Sequence, residues 1–191
     1  LVGSPSELTY AKDIHRYYQA LAAASPRARY WKIGTTEEGR DIVVLAIADD
    51  WSFPHASAYG DRTVRTPNFD RVAREGARFT HAFAAAPSCS PSRAALLTGQ
   101  AVHRLQEGGN LWGTLPSAYA VYPDLLERAG YAVGFTGKGW GPGQFEPGGR
   151  TRNPAGPQFK GFDDFIERRP PGTPFCFWFG SSDPHRPYEA G

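Results

Sequence analysis

Residues 42–48 read Ile-Val-Val-Leu-Ala-Ile-Ala, an apolar run with no alternation, and it stops abruptly at Asp49-Asp50. Such a run suits a strand buried on both faces, and strands of that kind belong to parallel sheets covered by helices on each side. Two further runs share the design. Tyr131–Thr136 is apolar and leads into Gly137-Lys138-Gly139, and Pro174–Gly180 leads into Ser181-Ser182-Asp183-Pro184-His185. Helical patterns lie between them. Asn68–Glu75 stops at Gly76, Pro91–Thr98 stops at Gly99, and Tyr122–Ala129 stops at Gly130. Arg78–Ala82 reads as a further short strand. Strands alternating with helices predict an α/β fold with a largely parallel sheet. Residues 139–160 are rich in Gly and Pro and predict a long loop.

In open α/β sheets, ligands sit beyond the carboxyl ends of the strands. The three polar strand ends therefore converge on one expected site. Asp49 and Asp50 would repel each other unless a cation neutralises them, and a hard divalent ion, Ca²⁺ or Mg²⁺, suits oxygen ligands. Taken alone, the pair better suits a loop opening, where paired acids are common. Lys138 is a candidate point charge for an oxyanion, or else a solvated lysine. His185 can donate to an anion or protonate a leaving oxygen, or serve a structural purpose.

The stretch Cys89-Ser90-Pro91-Ser92-Arg93, continuing to Gly99, places a cysteine before a helix start and an arginine four residues later. Ser90 reads as the N-cap and Pro91 as the first helical residue. The helix N-terminus favours an anion beside Cys89, and Arg93 adds a fork of donors suited to a tetrahedral oxyanion. The bland alternative is a capped helix with an inert buried cysteine.

Composition excludes several classes. The chain has 191 residues, enough for a real core, and a net charge of +2, so nothing invokes nucleic acid. Two cysteines, Cys89 and Cys176, make no disulfide framework. No apolar run has membrane-spanning length and no signal peptide is visible. With no methionine, the chain reads as a processed product or a piece of a longer one.

Cys89–Gly99 resembles the signature of the formylglycine-dependent sulfatases. Ala48-Asp49-Asp50, Thr66-Pro67-Asn68-Phe69-Asp70 with Gly76, Gly137-Lys138 and Asp183-Pro184-His185 resemble further motifs of that family, in order. The resemblance implies an alkaline-phosphatase/sulfatase-like α/β fold, truncated at its C-terminus. It implies that Cys89 becomes formylglycine through a formylglycine-generating enzyme. One hydroxyl of the hydrated aldehyde would attack sulfur, and the other would expel the sulfate. Arg93, Lys138 and His185 would be catalytic; Asp49, Asp50 and residue 89 would hold Ca²⁺ or Mg²⁺. The substrate would be a sulfated glycan or a small sulfate ester. His103 and Asp183-Pro184-His185-Arg186 resemble the heparan N-sulfatase branch. The family resemblance also places the protein in the periplasm, outside the cell or in lysosomes, without choosing among them.

Two departures stand out. Trp140 occupies the place of a family histidine. The family's second metal-binding pair and a further lysine fall beyond Gly191, so these 191 residues alone are expected to bind metal weakly and turn over poorly, or not at all. Phosphodiesterases and phosphonate hydrolases of the same superfamily are the chemical rival.

Residues 1–48 resemble something else, and the two resemblances overlap in the apolar run from Ile42 to Asp49. Residues 4–24 read as a helix with His15 beside its apolar face, and 30–33 as a strand. Leu8-Thr9-Tyr10, the helix to Ala24, Ser25-Pro26, Ile33-Gly34 and Glu38-Gly39-Arg40 followed by an apolar strand resemble the opening of the M14 zinc carboxypeptidases. That family's H-x-x-E motif is missing, since His55 is followed by Ala58 where the Glu belongs. The expected organisation is an M14-like segment over 1–40 and the N-terminal part of a sulfatase-like catalytic domain over 41–191. A metallocarboxypeptidase and an inactive fragment complete the set of alternatives.

Overall fold

The computed structural model describes residues 43–47 and 49–185, with side chains from Asp49 onward. The helix expected over 4–24 and the strand at 30–33 lie outside the described residues. The chain divides into two compact units, and the described part of the first is Ser52–Ala82.

The described part of the second unit is built on a parallel sheet. Its strands are β1 (Val43–Ile47), β2 (Ala132–Gly137) and β3 (Phe175–Gly180), in the order β1-β3-β2. Val43 pairs with Cys176 and Ile47 with Gly180, while Ala132 pairs with Phe175 and Gly137 with Gly180. Ile47, Gly180 and Gly137 thus form one row across the sheet. Whatever follows these three residues leaves the sheet at the same level, which is how a parallel sheet gathers distant segments into one site.

Helices cover the sheet as its apolar strands require. Trp178 of β3 and Phe135 of β2 pack with Ala94 and Leu97 of the helix Cys89–Thr98, together with Leu105, Leu115 and Trp140. Phe175 and Phe177, of opposite parity to Trp178, pack against Phe165 of the helix Phe162–Arg168. A Cβ at Gly134 would lie 2.6 Å from the Phe159 ring and 2.9 Å from the Phe165 ring, so only glycine lets these rings approach β2. The helix Phe162–Arg168 escaped the sequence reading.

The Gly- and Pro-rich segment 139–160 carries no helix or strand, as expected, yet it is pinned. Arg150 Nη1 meets Asp124 Oδ2 at 3.2 Å, Arg152 Nη2 meets Asp124 Oδ1 at 3.0 Å, and Arg152 Nη1 meets Glu127 Oε1 at 3.1 Å. Both acids stand on the helix Tyr122–Arg128.

In the first unit, the helix Pro67–Glu75 carries proline in its first turn. Asp70 Oδ1 accepts from Ala58 N at 2.8 Å and from Thr66 Oγ1 at 2.9 Å. The Thr-Pro-Asn-Phe-Asp motif therefore fixes local structure by tying the helix to the preceding turn. The strand expected at 78–82 does not form. Phe79 is 64% exposed, and Arg78 Nη1 donates to the Ala58 carbonyl. Alternating residues without a partner strand do not satisfy their backbone as a strand.

Candidate active site

Cys89 is the first residue of its helix, and Ser88, extended at φ −155° and ψ 148°, precedes it as N-cap. This corrects the expected cap at Ser90, whose hydroxyl donates instead to the Pro142 carbonyl. Ser90 is fully buried, and that bond ties the helix start to the loop after β2. The far end is as expected. Gly99 is left-handed at φ 67°, and its N–H donates to Ala95 O at 2.8 Å.

Arg93 points into the protein and is 4% exposed. Its Nη1 donates to Lys138 O at 2.7 Å and Gly139 O at 2.8 Å, and its Nη2 to Asp49 Oδ1 at 3.2 Å. The guanidinium fork thus clamps the turn after β2 to the turn after β1. Lys138 Nζ donates to Asp49 Oδ2 and lies 3.3 Å from Cys89 Sγ. Asp49, also 4% exposed, is held between two cations. Burial alone would raise its pKa, but Lys138 and Arg93 outweigh burial and hold it below the usual carboxylate range.

Asp50 is exposed and left-handed at φ 57°. Its Oδ2 lies 3.7 Å from His185 Nε2. The residues named from the sequence therefore gather at one end of the sheet. Asp49 and Asp50 follow β1, Lys138 follows β2, His185 follows β3, and Cys89 and Arg93 approach on their helix. Trp140 takes another course: it is buried in the core cluster, and Asn153 holds its backbone, with Oδ1 accepting from Trp140 N at 3.0 Å and Nδ2 donating to Trp140 O at 2.9 Å. Sequence reading missed Asn153 and Trp178, which brace the Lys138 turn. Only an asparagine inside a Gly/Pro-rich loop and a tryptophan among phenylalanines marked them.

The donors fit a divalent cation. Asp49, Cys89 and His185 each offer a ligand atom, and these atoms lie within 4.8 Å of one another. As a thiol, residue 89 is a soft donor; a hydrated aldehyde there would replace sulfur with oxygen and suit a hard ion. Both Asp49 oxygens already meet a cation, Arg93 at Oδ1 and Lys138 at Oδ2, so such an ion would have to share one of them.

The second cysteine is unlike the first. Cys176 is buried within β3, and burial pushes its thiol up to about 11, whereas Cys89 is partly exposed. In protein retaining both thiols, iodoacetamide at pH 8 is expected to alkylate Cys89 and spare Cys176 until unfolding. Peptide mass spectrometry reads the ratio, and equal labelling of folded protein would refute the burial.

Comparison with known proteins places the chain in a family and a fold. The Sulfatase family model matches residues 41–167. The chain is similar to human arylsulfatase D, at 37% identity over 77% of this chain and 25% of that protein. It is similar to dog arylsulfatase G, at 33% identity over 85% and 29%. Rat N-acetylgalactosamine-6-sulfatase matches at 34% identity over 74% and 26%. The chain therefore spans about a quarter of the length of these curated relatives. Among solved structures, a protein in complex with its substrate D-glucosamine-2-N,6-O-disulfate superposes with a TM-score of 0.60 at 23% identity, over 76% of this chain and 35% of that one. The same fold is thus shared.

Proposed function

Because the chain belongs to the sulfatase family, we propose that its site forms part of a sulfuric ester hydrolase acting on sulfate esters, or N-sulfates, of a glycan or small molecule. The observation that carries this reading is Lys138 Nζ 3.3 Å from Cys89 Sγ at a helix N-terminus, with Arg93 and Asp49 locked behind it. That arrangement puts a nucleophile position beside fixed positive charge, the requirement for attack on a tetrahedral oxyanion. A solved neighbour bound to a disulfated glucosamine and relatives named as arylsulfatases support a sulfated substrate without choosing between sugar and small ester.

The roles follow. Residue 89, matured to formylglycine by a generating enzyme, supplies the attacking hydroxyl. Lys138 binds a sulfate oxygen. Arg93 holds Lys138 and Asp49 in register. Asp49 and Asp50, with residue 89, would hold a divalent cation, Ca²⁺ or Mg²⁺, which would supply further charge for the sulfate oxygens. His185, beside Asp50, binds sulfate or hands a proton to the leaving oxygen. The family match begins at residue 41, while the match to dog arylsulfatase G takes in 85% of the chain and so reaches into residues 1–40.

The test uses the longer protein that contains these residues, co-expressed with a formylglycine-generating enzyme. Mass spectrometry across residue 89 is expected to show the thiol replaced by an aldehyde or its hydrate. Cys89→Ala is expected to cut sulfate-ester turnover roughly 10⁴-fold or more, the scale for loss of a catalytic nucleophile. An intact thiol with turnover indifferent to Cys89→Ala would end the reading; preference for phosphate esters would move it to the phosphodiesterase branch.

A further inference from the structure

We propose that Trp178 is a positioning residue of this site, its indole setting where Lys138 and Arg93 stand. Trp178 lies on the central strand β3, opposite Leu45 of β1 and Phe135 of β2, and is 1% exposed. Its Nε1 donates to Lys138 O at 3.1 Å. Its ring lies 5.7 Å from Arg93 Cζ, within cation–π range. Arg93 Nη1 donates to the same Lys138 carbonyl at 2.7 Å, and Lys138 N donates to Gly180 O at 2.9 Å.

The Lys138 peptide is therefore held on both sides, and its carbonyl takes two donors, its full lone-pair capacity. Those two donors belong to residues that also touch each other. Trp178, Arg93 and Lys138 form a closed triangle that ends in the ammonium beside Cys89. Bulk alone does not account for the choice of residue. Phe175 and Phe177, its neighbours on the strand, fill their side of the core with plain rings. At 178 the ring also carries a buried N–H, and that donor has a partner in the site's own backbone.

The test needs no turnover, so it stands or falls separately from the sulfatase reading. The full chain is prepared with Cys89 as a thiol, and the rate of Cys89 alkylation by iodoacetamide is followed at fixed pH by peptide mass spectrometry. A cation 3.3 Å from the sulfur assists its reaction as an anion, so Lys138→Gln is expected to slow alkylation several-fold. Trp178→Phe, which keeps a ring and removes the donor, is expected to slow it by about two- to five-fold, on the scale of one lost hydrogen bond. The double variant is expected to be no slower than Lys138→Gln alone, because Trp178 acts through Lys138. Should Trp178→Phe fail to fold, benzothienylalanine at 178 replaces the N–H by sulfur at equal shape and enters the same cycle. A wild-type rate in the Trp178 variant, effects that multiply in the double variant, or a Lys138→Gln rate equal to wild type would each overturn the proposal.

Discussion

Arg93→Ala is expected to destabilise the protein by about 3–5 kcal/mol, the cost of removing one partner from a buried charge pair. Arg93 and Asp49 are each 4% exposed, and Arg93 satisfies three acceptors: Asp49 Oδ1, Lys138 O and Gly139 O. Truncation leaves the Asp49 carboxylate with Lys138 as its one remaining cation among these contacts. It also removes a donor from two carbonyls, each a loss of about 1–3 kcal/mol when no water takes its place. Lys138 O keeps Trp178 Nε1, so Gly139 O bears the larger loss. Arg93→Lys is expected to recover part of the loss, since one ammonium cannot reproduce the fork. Denaturant unfolding of wild type and both variants checks this, with unchanged slopes required for a clean reading. A loss below about 1 kcal/mol for Arg93→Ala would mean that the guanidinium is not bound as described.

This arginine shows what the sequence made legible and what it hid. Its spacing from Cys89 was plain, and so was its place on a helix. That its donors are spent on the backbone after β2 was not, because those contacts span more than forty residues and depend on strand order. The strands themselves were readable for a simple reason. Runs such as 42–48 and Phe175–Gly180 have no polar face, and a parallel sheet covered on both sides accommodates them. The convergence of Asp49, Lys138 and His185 followed from the rule that sites lie beyond strand ends. The errors have equally physical causes. Ser90 has the composition of a cap, but the loop at Pro142 competes for its hydroxyl and the helix begins earlier. Arg78–Ala82 alternates like a strand, yet among the described residues no neighbouring strand supplies a ladder. The helix Phe162–Arg168 is short, and it follows a loop rich enough in Gly and Pro to mask its onset. Its aromatic face becomes meaningful only against Phe175 and Phe177.

The second large effect is expected at the row where β2 and β3 end. Gly137 and Gly180 are register partners, and each occupies space that a side chain would need. A Cβ at Gly137 would lie 2.0 Å from Gly180 O, and one at Gly180 would lie 2.0 Å from Lys138 O and 2.9 Å from Trp178 Nε1. Gly137 is also left-handed, at φ 67°. Gly137→Ala therefore combines left-handed strain of about 1–2 kcal/mol with an overpacking cost of about 1–3 kcal/mol. Its expected loss is about 2–5 kcal/mol, the sum of those two ranges. Gly180→Ala carries the steric part, and it presses on the carbonyl that Arg93 and Trp178 hold, so it is expected to disturb Lys138 as well as stability. Two other glycines separate the contributions. Gly172 is left-handed at φ 75°, and a Cβ there would meet nothing within 4 Å, so Gly172→Ala isolates the conformational strain. Gly161 has neither restriction, so Gly161→Ala is expected to change stability by less than about 0.5 kcal/mol. Thermal or denaturant unfolding of the four variants gives the order Gly137, then Gly180 and Gly172, then Gly161. If Gly137→Ala costs no more than Gly172→Ala, the two strand ends do not approach as closely as their register requires. The lysine would then not be delivered to Cys89 by the backbone. If the order holds, the Gly-Lys step is explained by packing: the glycine lets two strand ends meet, and the meeting fixes the lysine's backbone.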